Sequence, residues 1–340
     1  MVSLKDVARD CGVSIATVSK ALNGQQDVGE ATRRRVFESA DRLGYTANSA
    51  ARALKTNRSY NIGVLFQDPM RGGLAHEFFS GVLDGIRQQA EAKGYDITFL
   101  NRSVGNRETS YLQHCRYRGV DGVVIASADF ADPGVLDLVN SDMPVVTIDH
   151  TFNGRIAVVS DNVVGMTELV RHVAAKGHRR LALIHGEMTN VTRSRLAGFY
   201  RTCEELNIPV NGSWIREARF HDPEGCRRIT REILDLPERP SCIFFPDDYS
   251  YIGGFNAILE FGLSIPEDIS VVGYDGIPLS RIVNPVLTTW RQDTGGMGVT
   301  AAEKLIELIE SPVTAILDRV IVTGSLQAGC SVSDRTGESV

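Results

Sequence analysis

The 340-residue chain lacks several things that would assign it quickly. No apolar run approaches the roughly 18 residues a membrane span needs, so no membrane partner is expected. The opening MVSLKDVARD is charged early and has no apolar signal core, from which a cytoplasmic location is expected. Its six cysteines, Cys11, Cys115, Cys203, Cys226, Cys242 and Cys330, include no CxxC pair and no metal-ligand spacing. They are expected to be small buried thiols, with no metal and no cofactor. No GxGxxG follows the early strands, and GxxxxGK[ST], GxSxG and HExxH are absent. An α/β enzyme therefore has no motif to stand on. The histidines form no constellation and read mostly as surface or capping residues. Finally, the C-terminal SVSDRTGESV has no leucine heptad, which argues against a tetramer held by a terminal coiled coil and leaves a homodimer as the default.

What is present is a soluble globular balance, 43% hydrophobic and 23% charged, over a length that suits two or three units. The net charge of −6 is unevenly spread: ten Lys and Arg against six acids up to Arg58 give this stretch +4, leaving −10 for the remainder. A basic N-terminal unit on an acidic body is the footprint of a DNA-binding head on a regulatory domain.

Within that head, Ser3 can cap a first helix from about Leu4 to Cys11 with Leu4, Val7 and Ala8 inward. Gly12 makes a tight turn, and Ser14 can cap a second helix in Val13–Asn23. Val18 and Leu22 bury one face of it, while Ile15, Ala16, Thr17, Ser19 and Lys20 stay free for a DNA major groove. A third helix, about Glu30 to Leu43, closes the core through Val36, Ala40 and Leu43, with Gly29 at its N-cap. Arg33, Arg34 and Arg35 lie on its outer side, as a solvated face or as phosphate contacts. Together these form a helix-turn-helix pattern. Downstream, Asn48 can cap a short helix, Ser49 to Lys55, carrying Leu54 with nothing local to bury it. Such a peptide has little helical stability alone.

From Ile62 onward, apolar runs alternate with amphipathic stretches: Ile62–Phe66, Asp96–Leu100, Gly122–Ala126, Pro144–Ile148, Ala157–Ser160, Leu181–His185, Cys242–Phe245 and Ile269–Tyr274. This predicts parallel sheets with helices on both faces, in two successive lobes. Ligands lie beyond the carboxyl ends of such strands, where Asp68, Asn101, Asp149, Asp161, Asp247, Asp248 and Asp275 fall, as ligand groups or as caps of the next helix.

The run KDVARDCGVSIATVSKALNG…GYTANSAARALKTNRSYNIGVL resembles the N-terminus of the lac repressor family (LacI/GalR-type regulators). GVDGVVIA, IPEDISVVGYDGIPLSRIVNP and LTTWRQD extend the similarity to about residue 330. The resemblance implies an α/β fold: an N-terminal three-helix helix-turn-helix headpiece plus a two-lobe periplasmic-binding-protein-like core of doubly wound parallel sheets. The expected divisions are 1–46 for the headpiece, 47–60 for hinge helix and linker, 61–333 for the core and 334–340 for a polar tail. Within the core, late strand exchange puts about 61–159 and 292–317 in lobe 1, and about 160–291 and 318–330 in lobe 2.

The resemblance also implies site residues. Ile15, Ala16 and Lys20 take base-reading positions, within a DNA-binding set of Ser14, Ile15, Ala16, Thr17, Ser19, Lys20, Asn23, Asn48, Ala51 and Leu54. Leu54 would wedge into the minor groove from a hinge helix ordered on operator DNA. Ala47 stands where the family usually has proline, so the start of that helix is less fixed here. For the effector, TRSRLAGF supplies Arg195, FPDDYSYIGG Asp248, ARFHDPEG Phe220, HEFF Phe78 and Phe79, LTTWRQD Gln292 and TIDH Asp149. Ile15 and Ala16 can offer only apolar contact, as to a thymine methyl, and Lys20 can donate to guanine.

A bidentate arginine, carboxylates and flat aromatic faces suit a small polyhydroxylated ring, and would also hold a purine. The expected function is a ligand-responsive, sequence-specific transcriptional regulator. It would be a dimer on near-palindromic double-stranded operator DNA, with a sugar or sugar derivative favoured as effector and repression favoured over activation. A transport-type solute-binding protein shares the two-lobe architecture, but would need a signal peptide and no basic head.

Overall fold

A computed structural model describes residues 2–22, 25, 27–45, 58–67 and 73–337. Asn23, Asn48, Ala51, Leu54 and the whole expected hinge helix, as well as Asp68, lie outside the described residues. The chain divides into two compact units, 1–59 and 60–340.

The first unit packs α1 (Leu4–Cys11), α2 (Ile15–Leu22) and α3 (Glu30–Leu43) around one small core. Each helix starts where its sequence allows. Asp6 accepts from the backbone N–H (3.0 Å) and hydroxyl (2.6 Å) of Ser3 at the head of α1, while Ser14 Oγ accepts from Thr17 N (3.0 Å) at the head of α2. Gly12 ends α1 in the left-handed region at φ 65°, where a side chain would be strained. Val7, Ala8, Val18, Val36 and Ala40 are buried as the 3.6-residue period predicts, Leu4, Leu22 and Leu43 are only partly buried against them, and Cys11 and Ala21 complete the core. Of the three arginines on α3, Arg33 is not simply outward: its Nη2 donates to Gln25 O (2.8 Å), pinning the loop before α3.

The second unit holds two six-stranded sheets. The chain builds β1 (Asn61–Phe66), α4 (Glu77–Ala92), β2 (Asp96–Phe99), a small hairpin of β3 (Ser103–Val104) and β4 (Arg107–Glu108), α5 (Tyr111–Arg118), β5 (Gly122–Ser127), α6 (Pro133–Asn140), β6 (Val145–Ile148) and β7 (Ile156–Ser160). It then crosses to α7 (Asn162–Ala175), β8 (Leu181–His185), α8 (Asn190–Glu205), β9 (Ile215–Glu217), α9 (Pro223–Leu234), β10 (Cys242–Phe244), α10 (Tyr251–Glu260), β11 (Ser270–Asp275), α11 (Leu279–Ile282) and β12 (Thr288–Arg291). It ends with α12 (Thr294–Glu310), β13 (Arg319–Val322) and β14 (Ser325–Gln327). One sheet runs β13-β7-β6-β5-β1-β2 and is parallel throughout. The other runs β14-β12-β11-β10-β8-β9, parallel except for β14. The apolar runs VVIA and VVTI are buried on both faces, as parallel strands covered by helices must be.

Several expectations need correction. The last return to the second lobe was expected near Asp318, but Arg319–Val322 pairs in parallel with Ala157–Ser160 as an edge strand of the first sheet. The crossing therefore falls between Val322 and Ser325. An edge strand half open to solvent carries little apolar signal, which is why the sequence does not mark it. Ser160 likewise belongs to β7 of the first lobe. The expected tail beyond residue 333 is docked as far as Thr336: Arg335 N donates to Lys176 O (2.8 Å), and its Nη2 donates to the carbonyls of Glu267 and Asp268. Gly177, at φ 89°, has no side chain to block that approach. Cys330 is exposed, unlike the other five cysteines. His114 and His178 are fully buried rather than superficial; His178 Nδ1 lies 2.9 Å from Ser241 Oγ and its Nε2 3.1 Å from Ser333 O.

Helix α12 returns to the first lobe and lies against α4 at very close range. A Cβ on Gly85 would come within 2.2 Å of Gly295 O, and one on Gly298 within 2.0 Å of Val82 O. The glycine-rich start of α12, TGGMG, would weaken an isolated helix; here it permits backbone contact with α4. Gly298→Ala should therefore destabilise the core by about 1–3 kcal/mol through forced helix separation. Urea unfolding would show a lower midpoint, and an unchanged midpoint would contradict the close approach.

Candidate functional site

Two groups of residues stand apart from the packing. On α2, Ile15, Ala16 and Lys20 are exposed, Thr17 and Ser19 are half-buried, and Val18 and Ala21 are fully buried. The side of α2 away from the core is thus open to solvent at Ile15, Ala16 and Lys20, with Ser14 committed to its cap. Lys20 forms an ion pair with Asp27, whose carboxyl is lowered by that hydrogen bond. Both partners are about half exposed, so the pair is weak and readily exchanged for another acceptor.

The second group lies where strands of the two lobes end. Arg195, on α8, is 7% exposed. Its Nε donates to Asn162 Oδ1 (2.8 Å), its Nη1 donates to Pro246 O (2.7 Å), and its Nη2 faces Asp275 Oδ1 at 3.8 Å. The guanidinium lies over the Tyr274 ring at 3.5 Å and 5.5 Å from that of Phe220. A buried cation is tolerable only with such compensation. Asp275 in turn accepts from Gln292 Nε2 (2.7 Å), and Gln292 Oε1 accepts from the Ser160 hydroxyl. Ser160 N donates to Asp149 Oδ1 (2.8 Å). One polar chain thus runs from the second lobe, through the crossover at Gln292, to the first.

Asp149, His221 and Asp275 all hold positive φ, at 52°, 57° and 99°. Left-handed conformations at non-glycine residues are costly and concentrate where the fold over-determines them, often at binding sites. Burial pushes the Asp275 carboxyl up to about 7 against the lowering effect of Arg195, and burial likewise raises Asp149 to about 6.

The wall formed by Asp149, Ser160 and Asn162 also lines a cavity of about 340 Å³. Of the expected effector residues, Arg195, Asp149 and Gln292 therefore come together, with Phe220 beside Arg195. Phe79 packs on Phe66 and on His76. Phe78 belongs to the first-lobe core. Asp248 is a correction: it is wholly buried, with Oδ1 accepting from Thr289 Oγ1 (2.7 Å) and Oδ2 from Ile277 N (3.0 Å). Both of its oxygens are spent inside the second lobe, and a Cβ on Gly273 would strike it. The paired aspartates of FPDDY could not be told apart by sequence.

Of the strand-end residues, Asp161 caps α7 by accepting from Val164 N, and Asn101 accepts locally from Ser103 N. Asp275 also stands beside Arg195; the sequence marked it by its position after an apolar strand and within a family-like segment, but not as an effector group. Also illegible was an aromatic stack in which His76 of the first lobe lies 4.2 Å from His221 of the second, itself 3.9 Å from Tyr249. Among the described residues, no helix is long and apolar enough to cross a membrane, and no group of His, Cys, Asp or Glu could hold a metal.

A helix-turn-helix unit joined to a two-lobe α/β core with a polar site at the lobe junction defines a class: DNA-binding regulators carrying a periplasmic-binding-protein-like core. Comparison with known proteins agrees. Residues 3–48 match the bacterial regulatory proteins of the lacI family, and residues 170–332 match the periplasmic binding protein-like domain. The HTH-type transcriptional repressor PurR of Vibrio vulnificus (strain CMCP6) is 32% identical over 319 residues, covering 91% of this chain and 92% of that one. The lac repressor dimer bound to operator and the anti-inducer ONPF is similar in structure, with a TM-score of 0.78 at 26% identity over 98% of this chain and 99% of that one. A LacI family regulator from Enterococcus faecium with bound ribose has a TM-score of 0.68 at 25% identity, over 81% and 99%. The chain belongs to the lacI family of bacterial regulatory proteins. It is a DNA-binding transcriptional regulator and not an enzyme.

The raised carboxyl of Asp275 sets a pH dependence with a defined sign. Between the ordinary aspartate range and about 7, the folded chain holds a proton that the unfolded chain has lost, so this group's contribution to stability falls as pH rises through that window. Asp275→Asn removes the titration. Its melting temperature should therefore gain on the wild type between pH 5 and 7, whereas a constant difference would contradict the burial of a proton-holding carboxyl.

Proposed function

We propose that the chain is a repressor that binds near-palindromic operator DNA as a homodimer and releases or tightens its hold when a small effector occupies the lobe junction. The observation that carries the DNA half is the free face of α2: Ile15, Ala16 and Lys20 are exposed on a helix whose other face closes a complete core. In this proposal Lys20 leaves its exposed partner Asp27 for guanine, and the small neighbours meet thymine methyls. Ser14, Thr17, Ser19 and Asn23 flank these contacts, and Arg34 and Arg35, both exposed, are available to phosphates. Asn48 and Ala51 belong to the hinge from which Leu54 wedges between base steps, at a cost of a few kcal/mol repaid by bending.

The effector in this proposal is a sugar or sugar derivative in the cavity beside Asp149, with Arg195 and Gln292 bonded behind its wall to Asn162 and Ser160, and Phe220 beside Arg195. Support comes from the carboxylates and hydroxyls on the wall of that cavity, Asp149, Asp161, Thr151 and Ser160, and from the ribose bound by the Enterococcus regulator. A purine remains the second reading, because the stacked His76, His221 and Tyr249 rings could equally face a flat base. An effector that favours one lobe arrangement shifts operator affinity by its differential binding, typically about 1–3 kcal/mol.

Operator sites selected from random-sequence DNA allow a direct test. Lys20→Ala should lower affinity for the selected site on the order of tenfold and relax the preference at one base position in each half-site. Unchanged affinity and unchanged preference in fluorescence anisotropy would remove α2 from the role of reader.

A further inference from the structure

The cavity at the lobe junction carries two arginines to which the preceding roles assign nothing. Arg193 stands in the first turns of α8 in the second lobe, and Arg319 begins β13 in the first; both line the same cavity of about 340 Å³. Arg195, two residues from Arg193, has its guanidinium fully engaged. By contrast, among the described residues neither the Arg193 nor the Arg319 guanidinium has an ion-pair or hydrogen-bond partner. The carboxylates on the same wall do not neutralise them. Asp161 Oδ1 accepts from Val164 N at 3.1 Å as the cap of α7, Asp149 Oδ1 accepts from Ser160 N at 2.8 Å, and neither lies within ion-pair distance of the two cations. Both arginines are exposed where they line this cavity, so each charge is met by water, and an anion entering the cavity can draw on both. Each presents a planar fork suited to the oxygens of a carboxylate or phosphate.

We propose that the effector carries an acidic group, held between Arg193 and Arg319, so that it is an acidic sugar derivative rather than a neutral sugar. This rests on the sugar reading of the same cavity and narrows it. The remaining wall suits the rest of such a molecule, since Asp149 and Asn162 can meet ring hydroxyls. Because the two arginines belong to different lobes, an anion that engages both favours the lobe arrangement in which they converge, which couples binding to conformation.

The test uses the full-length chain. Its melting temperature is measured in inorganic phosphate against sodium chloride at matched ionic strength, for the wild type and for Arg193→Gln/Arg319→Gln. The wild type should gain stability in phosphate, and the double variant should lose that gain; equal gains in both would overturn the proposal. Calorimetry then compares glucose and galactose with their uronic acids and 6-phosphates. The acidic member of a set should bind at least tenfold tighter than its neutral parent, the advantage should shrink in either single variant, and the better acid identifies carboxylate or phosphate as the anchor. A neutral sugar bound equally by wild type and variants would overturn the anion site while leaving the sugar reading in place. A phosphate gain lost in the double variant, with no sugar of the panel bound, would uphold the anion site and remove the sugar reading.

Discussion

The lobe junction depends on one buried cation. Arg195 is almost wholly removed from water, and a guanidinium in that position is stable only while its compensation is complete. That compensation is drawn from elements far apart in sequence: the first turn of α7 gives Asn162, the segment after β10 gives the Pro246 carbonyl, and β11 gives Tyr274 and Asp275. Asp275 then engages Gln292, which reaches Ser160 in the first lobe. Two of the three chain crossings between the lobes, near Ser160 and near Gln292, are therefore tied to each other and to the arginine. In the proposed function a change in the lobe arrangement acts on this chain of bonds, which gives a small molecule in the adjoining cavity a physical route to the rest of the core.

The helix-turn-helix unit is built on the opposite plan. Its core is small and complete, its helix ends are capped by Ser3, Gly12 and Ser14, and Ile15, Ala16 and Lys20 on α2 are exposed. In the proposed function, DNA reading asks of it only the exchange of the Lys20 to Asp27 pair. Control is more economically placed on the stretch between the units, whose short helix in the proposed mechanism has little stability of its own.

Legibility in the sequence followed the kind of physics involved. Helices with a clear apolar face, such as α1 to α3, and parallel strands buried on both faces, such as β5, β6 and β8, were visible because periodicity and run length report burial directly. Strand β13 was not, because its burial alternates at a sheet edge. The junction was half legible. Arg195, Gln292 and Asp149 were marked by family motifs, but whether Asp247, Asp248 or Asp275 turned toward the arginine depends on backbone torsions that no spacing encodes. Asp248 turned inward to Thr289, and Asp275, at φ 99°, turned toward Arg195. The stack of His76 on His221 joins residues far apart in the chain and could not be read from either segment.

The central claim is that the bonds from Arg195 through Gln292 to Ser160 set the arrangement of the two lobes. The most direct measurement is a pulsed electron-resonance distance between spin labels at Glu91 and Glu204, exposed on α4 and α8, in a Cys330→Ser background that removes the exposed native thiol. Gln292→Leu, which keeps the bulk but breaks both hydrogen bonds, should shift or broaden the distance distribution while the helical content by circular dichroism stays at the wild-type level. A distribution identical to that of the wild type would show that the lobes are held by other contacts and that this chain of bonds does not govern them.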